Sequence, residues 1–212
     1  MKTSQLIEAL AADPRPRGMG LGARFCLALA VGAAASAGLF MAIAGPRSNF
    51  VISLQSLRFD LKFIDTIALT LPAALLGWRL LRPDARPGGF GLAFLAPILL
   101  LAAGVIGELT LVPPDLWGTR LVGTNAIHCL TIVPLLSIAP LAALLFVMRA
   151  GAPQNPPLAG ALAGLAAAGI AATLYAANCP DDSPLFVASW YPLATLIMVA
   201  VGAFAGERLL RW

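Results

Sequence analysis

Five residues in two short stretches could do chemistry together: His128 and Cys129, then Cys179, Asp181 and Asp182. Two thiols can be joined by oxidation. As thiolates they can also bridge a soft metal ion, with an imidazole and carboxylates completing the shell. The chain has three cysteines and one histidine, and neither a CxxC pair nor zinc-ligand spacing. No resident cofactor is therefore expected, only transient binding of a soft metal. Adjacent residues on a helix point about 100° apart, so His128 can face away from Cys129. The alternative for Cys129 and Cys179 is that they are small apolar packing residues, which is also the expectation for Cys26. No P-loop, HExxH or Gly-x-Ser-x-Gly is present, and nothing points to an enzyme.

Whether those thiols can meet depends on the elements that carry them. Of 212 residues, 59% are apolar and 11% charged, and mean hydropathy is +0.87. Soluble domains carry about 25% charged residues, so the bilayer is the natural solvent for this chain. Six apolar runs are long enough to span it: 25–44, 63–81, 90–107, 126–148, 158–177 and 184–205. The expected fold is all-α, a six-helix membrane bundle, with a tail at 1–24, a membrane domain at 25–205 and a second tail at 206–212. Residues 1–24 are polar and hold Pro14 and Pro16, unlike a signal peptide.

With the N-terminus inside, the inner segments hold Lys2, Arg15, Arg17, Arg24, Arg79, Arg82, Arg86, Arg149, Arg208 and Arg211. The outer segments hold only Arg47, Arg58, Lys62 and Arg120. The excess of Lys and Arg inside predicts both termini in the cytoplasm. The net charge of +4 is scattered between apolar runs, so direct nucleic-acid binding is not expected. In this topology Cys129 lies one turn inside the outer end of helix four, and Cys179 lies in the outer turn between helices five and six. Cys26 sits at the far end of helix one, about 30 Å away across the hydrocarbon. Only Cys129 and Cys179 can pair.

Asn178 can end helix five in the left-handed conformation. Ser183 can cap helix six with Pro184 at its first position. Gly160, Gly164, Ala168, Ala172 and Ala176 form a stripe at spacing four, and Gly202 and Gly206 repeat it. Such stripes let helices approach closely in lipid, and the partner is expected within the chain. Pro72, Pro97, Pro134, Pro140 and Pro192 should kink their spans. The stretch 53–63 reads as a strand through Leu57, Phe59, Leu61 and Phe63, or as a helix with Leu54, Leu57, Leu61 and Ile64 on one face. The helix, lying at the interface and leading into span two, is preferred.

The tail holds a second candidate site. Ser4 can cap a helix over 5–12 with Leu6, Ile7, Leu10 and Ala11 on one face, ended by Asp13 and Pro14. A helix this short folds on a partner or on the membrane surface. Ionisable residues lie near the span ends and the span middles hold only mild polar groups such as Ser36, Thr70, Ser137, Thr173 and Thr195. That counts against an ion-coupled transporter. A small transporter or channel, or a structural subunit of a membrane complex, remain the other readings.

The tail KTSQLIEALAADPRP, the stretch AIHCLTIVPLLSIAPLAALLFVMRAGAP and the closing hairpin with NCPDDS at 178–183, Trp190, Tyr191 and residues 209–212 resemble the NrsF family, negative regulators of a sigma factor. The resemblance covers essentially the whole chain. It implies a six-helix anti-sigma factor of the bacterial inner membrane. Such a protein holds an extracytoplasmic-function sigma factor and releases it under metal or oxidative stress. The family's paired cysteines fall on Cys129 and Cys179, and its leading sigma-binding elements on Leu6, Ile7, Leu10, Asp13 and Pro14 or Pro16. Inner loops 79–87 and 149–157 are candidates for further sigma contacts.

Overall fold

The computed structural model describes residues 3–11, 18–82 and 88–211. Among these residues there is no strand. The helices are α1 (Thr3–Ala11), α2 (Leu21–Ile43), α3 (Phe50–Ser53), α4 (Leu57–Arg79), α5 (Leu95–Leu111), α6 (Trp117–Val122), α7 (Ala126–Met148), α8 (Pro156–Asn178) and α9 (Pro184–Leu209), with 3-10 turns at Gly88–Phe94 and Pro114–Leu116. Five stretches are long and apolar enough to cross a membrane: Leu21–Ile43, Gly91–Leu111, Pro114–Met148, Pro156–Asn178 and Pro184–Leu209. The remaining long helix, α4, has 23 residues and carries Arg58, Asp60, Lys62, Asp65 and Arg79. Large apolar side chains face outward along the long helices, among them Val31, Leu99, Ile138, Phe146 and Phe204. This much exposed apolar surface suits lipid contact rather than water.

Small residues build the interior. α8 packs against α2, α4, α7 and α9. A Cβ added to Gly160 would collide with the Gly202 carbonyl, and one on Gly164 with the Met198 carbonyl. The glycine stripes are thus matched to each other within the chain, as expected. Gly169 is in the same way closed by Thr70 on α4, and Gly32 on α2 by Pro140 on α7. Pro140 has no N–H, so the Leu136 carbonyl loses its intrahelical donor. The Ser36 hydroxyl donates to that carbonyl at 2.9 Å, which ties α2 to α7 at the point where a buried acceptor would otherwise be orphaned.

Several boundaries differ from the sequence reading. Span three begins as a glycine-rich 3-10 turn, and its α-helix runs only from Leu95 to Leu111. Residues 57–63 are helical, as preferred, and form the first turns of α4, so span two begins at Leu57 rather than at 63. Their inward face is Phe59, Lys62 and Thr66, whereas Leu54, Leu57 and Ile64 point outward. In lipid the apolar stripe is the solvent face, so the polar stripe marks the protein interior. α1 begins at Thr3, which puts Ser4 inside the first turn rather than ahead of it. Cys26 is exposed on α2 and is not a packing residue.

Candidate functional site at the turn between the last two helices

The loops at 44–56, 112–125 and 179–183 gather at one end of the bundle, because the long helices alternate in direction. At their centre is the turn that joins α8 to α9. The Ser183 hydroxyl accepts from Leu185 N at 3.3 Å, so it caps α9 as expected. Asn178 does not take a left-handed conformation; among described residues only Gly45 and Gly123 have positive φ. Its amide instead donates to the Gly45 carbonyl at 2.8 Å, holding the end of α8 to the end of α2.

The two aspartates of the turn have separate tasks. One oxygen of Asp181 accepts from Thr124 N at 3.0 Å, from Asn125 N at 2.9 Å and from Asn125 Nδ2 at 3.0 Å. These groups lead into α7, where a negative charge is also favoured by the helix dipole. The approach is close: a Cβ on Gly123, at φ 59°, would lie 2.5 Å from the Phe186 ring and 2.9 Å from the Asp181 carboxyl carbon. Asp182 receives Lys62 Nζ at 2.6 Å and Arg47 at 3.0 Å. The same two cations donate to the Cys179 carbonyl, at 2.9 Å from Lys62 and 3.3 Å from Arg47. Lys62 is only 1% exposed. Arg47 and Lys62 lie over the Phe59 ring at 4.3 and 5.2 Å.

A third acid completes this end. Glu108, 2% exposed, pairs with Arg58 at 3.1 Å and with Arg120, and its Oε1 accepts from the Ser183 hydroxyl at 3.3 Å. All four Lys and Arg residues expected outside are therefore paired, two with Asp182 and two with Glu108. Arg47, Arg58, Lys62, Glu108 and Arg120 were not singled out as site residues from sequence. The signal that could have found them was there: four cations run against the topology bias at the end that holds Asp181, Asp182 and Glu108.

Cys129 and Cys179 are both fully buried and both free. They belong to one hydrophobic cluster with Val133, Tyr175, Ala176 and Phe186, and Cys129 is within electrostatic reach of Cys179 and of Lys62. The Cys179 thiol donates weakly to the Asp181 carbonyl at 3.9 Å. Burial pushes this thiol up, against smaller downward pulls from Lys62 and from hydrogen bonds to Asp181 and Tyr175. At rest it is a protonated thiol rather than an exposed thiolate. The five-residue metal set does not converge: among the described residues no three His, Cys, Asp or Glu side chains could hold an ion together. His128 points outward, and both aspartates are already occupied.

In the tail, Ile7 is 63% exposed. Leu6 and Leu10 lie on α1, but their side chains fall outside what is described, as do Asp13, Pro14, Pro16 and residues 83–87 of the first inner loop.

No solved structure matches the chain. The family described as "Negative regulator of sigma F" matches residues 10–212. A protein of Azospira oryzae named "Probable anti-sigma-F factor NrsF" is 33% identical over 215 residues, covering all of both chains. The "Anti-sigma-F factor NrsF" of Caulobacter vibrioides is 33% identical over 219 residues, again covering both completely. The chain belongs to the NrsF family, a family of regulators rather than enzymes.

Proposed function

We propose that this chain is an anti-sigma factor of the bacterial inner membrane. It spans the bilayer six times with both termini in the cytoplasm and holds a sigma factor of the extracytoplasmic-function class. The observation that carries the reading is identity of 33% over the full length of two relatives named anti-sigma-F factors. The six-span count adds α4 to the five apolar spans. Its charged first turns are supported there by the pairing of Arg58 and Lys62 with Glu108 and Asp182.

The docking surface is the tail, with Leu6, Ile7 and Leu10 entering the sigma factor and Asp13, Pro14 and Pro16 ending the segment. Loops 79–87 and 149–157 add contacts on the same side. Cys129 and Cys179 carry the signal. A two-electron oxidant takes two electrons and two protons from the pair to form a disulfide, or a soft metal displaces both protons and bridges the sulfurs. Either product needs the buried thiols to be reached and reset. The 179–182 turn is bound to the loop after α2 through Arg47, to α4 through Lys62 and to the start of α7 through Asp181, so resetting it moves several helices together. A stimulus acts only through unequal sigma affinity of the two states, and a loss of about 2.7 kcal/mol weakens binding roughly a hundredfold.

Replacing Leu6, Ile7 and Leu10 together by Ser tests the docking half. Capture of sigma from solubilised membranes should be lost while the protein still inserts. Undiminished capture would move the docking site out of the tail.

A further inference from the structure

A second polar feature lies deeper in the bundle, where α4, α5, α8 and α9 enclose a cavity of about 270 Å³. Its walls include Leu69, Leu101, Leu165 and Val199. Ile98 and Leu196, 62% and 61% exposed, border it from the outward face, so its mouth opens toward lipid. Asp65 stands in its wall. Among the described residues Asp65 has neither an ion-pair nor a hydrogen-bond partner, and its Oδ1 is buried. Tyr191 also lines the cavity, is 4% exposed, and has an unpartnered phenol oxygen. The acids nearest the turn, Glu108, Asp181 and Asp182, all have partners. Asp65 is the exception, and an unpartnered carboxylate at membrane depth is costly.

The chemistry of the walls selects the missing partner. A neutral lipid chain would fill the apolar space and leave the carboxylate without a donor. A small inorganic cation needs six or more oxygens around it, and the walls offer few beyond Asp65, Thr66, Thr195 and Tyr191. An organic cation satisfies both parts, since its charge meets the carboxylate and its apolar body meets the leucines. An aromatic ring beside the charge adds to the attraction. Asp65 also borders a void of about 10 Å³ shared with Arg58, Lys62 and Asp182. That is about the space of one water, and it separates the cavity from the ion pair that holds the Cys179 turn.

We propose that this cavity binds a lipophilic cation taken from the bilayer, with an ammonium head against Asp65 and Tyr191 and an alkyl tail leaving between Ile98 and Leu196. The site stands independently of sigma binding. Its place one void from Asp182 gives membrane-dissolved cationic amphiphiles a route to the turn.

The test uses the full chain in phosphatidylcholine nanodiscs, with radiolabelled dodecyltrimethylammonium as probe and empty nanodiscs subtracted. Saturable binding is expected, weakened about tenfold or more by Asp65→Asn, as loss of one partner of a desolvated charge pair requires. Leu196→Trp lies on the lipid face at the mouth and should weaken binding without disturbing the fold. Dodecanol, with the same chain and no charge, should not compete. Binding no greater than to empty nanodiscs, or unchanged affinity in both variants, would overturn the proposal.

Discussion

At rest Cys129 and Cys179 present no surface to water, so the thiols that could receive a chemical signal are shut inside the bundle. In the native protein both should alkylate with N-ethylmaleimide about tenfold or more slowly than after unfolding in SDS, because a buried protonated thiol is a poor nucleophile. Mass spectrometry of the labelled peptides reads this directly. The raised Cys179 thiol also sets a pH dependence. The unfolded thiol ionises near about pH 8.5, whereas the folded one keeps its proton to higher pH. The stability this group contributes is full below that pH and falls as pH rises above it. Thermal scans in detergent should therefore show a steeper alkaline loss for the wild type than for Cys179→Ala. Asp182→Asn leaves Lys62 buried without its carboxylate. Breaking a buried pair costs about 3–5 kcal/mol, and with Asp182 24% exposed the expected loss is nearer about 2 kcal/mol, read from unfolding in SDS.

The helices explain why so little of this site was legible beforehand. The α7 range, the start of α9, the Ser183 cap and the mutual fit of the glycine stripes follow from hydropathy, cap chemistry and residue size, all local properties of the sequence, whereas α9 runs four residues past the expected 205 to Leu209. The pairing of Arg47 and Lys62 with Asp182, and of Arg58 and Arg120 with Glu108, is not local. It joins residues more than a hundred positions apart in the first case, and no spacing rule reaches that far. At the start of α4 the stripe of Leu54, Leu57 and Ile64 faces outward, and which way an apolar stripe points is not a local property, since it faces inward in water and outward in lipid. Burial of the thiols was equally hidden, since it depends on Tyr175 and Phe186 closing over them. At this scale two substitutions are informative. Gly160→Val forces α8 and α9 apart where their backbones touch and should cost about 1–3 kcal/mol. Ser36→Ala orphans the Leu136 carbonyl and should cost a similar about 1–3 kcal/mol. Both are measurable as shifts in the SDS unfolding midpoint.

For the whole molecule the sides of the membrane decide the reading, since thiols that meet an external signal and a tail that meets a sigma factor must lie on opposite faces. Alkaline phosphatase fused after Gly45 should be active and fused after Ala152 inactive, because only the first is placed outside. The reverse pattern would remove the tail from the cytoplasm. Family membership favours a regulator over the transporter and complex-subunit readings, and the two halves of the proposal, capture and release, can be read together. The measurement is a pull-down with the tagged full chain from solubilised membranes, before and after treatment with diamide or cadmium, beside the Cys129→Ser/Cys179→Ser double variant. The expected result is a sigma factor bound at rest, lost on treatment of the wild type and retained by the double variant. Absence of any sigma factor at rest, or equal release from the double variant, would contradict it.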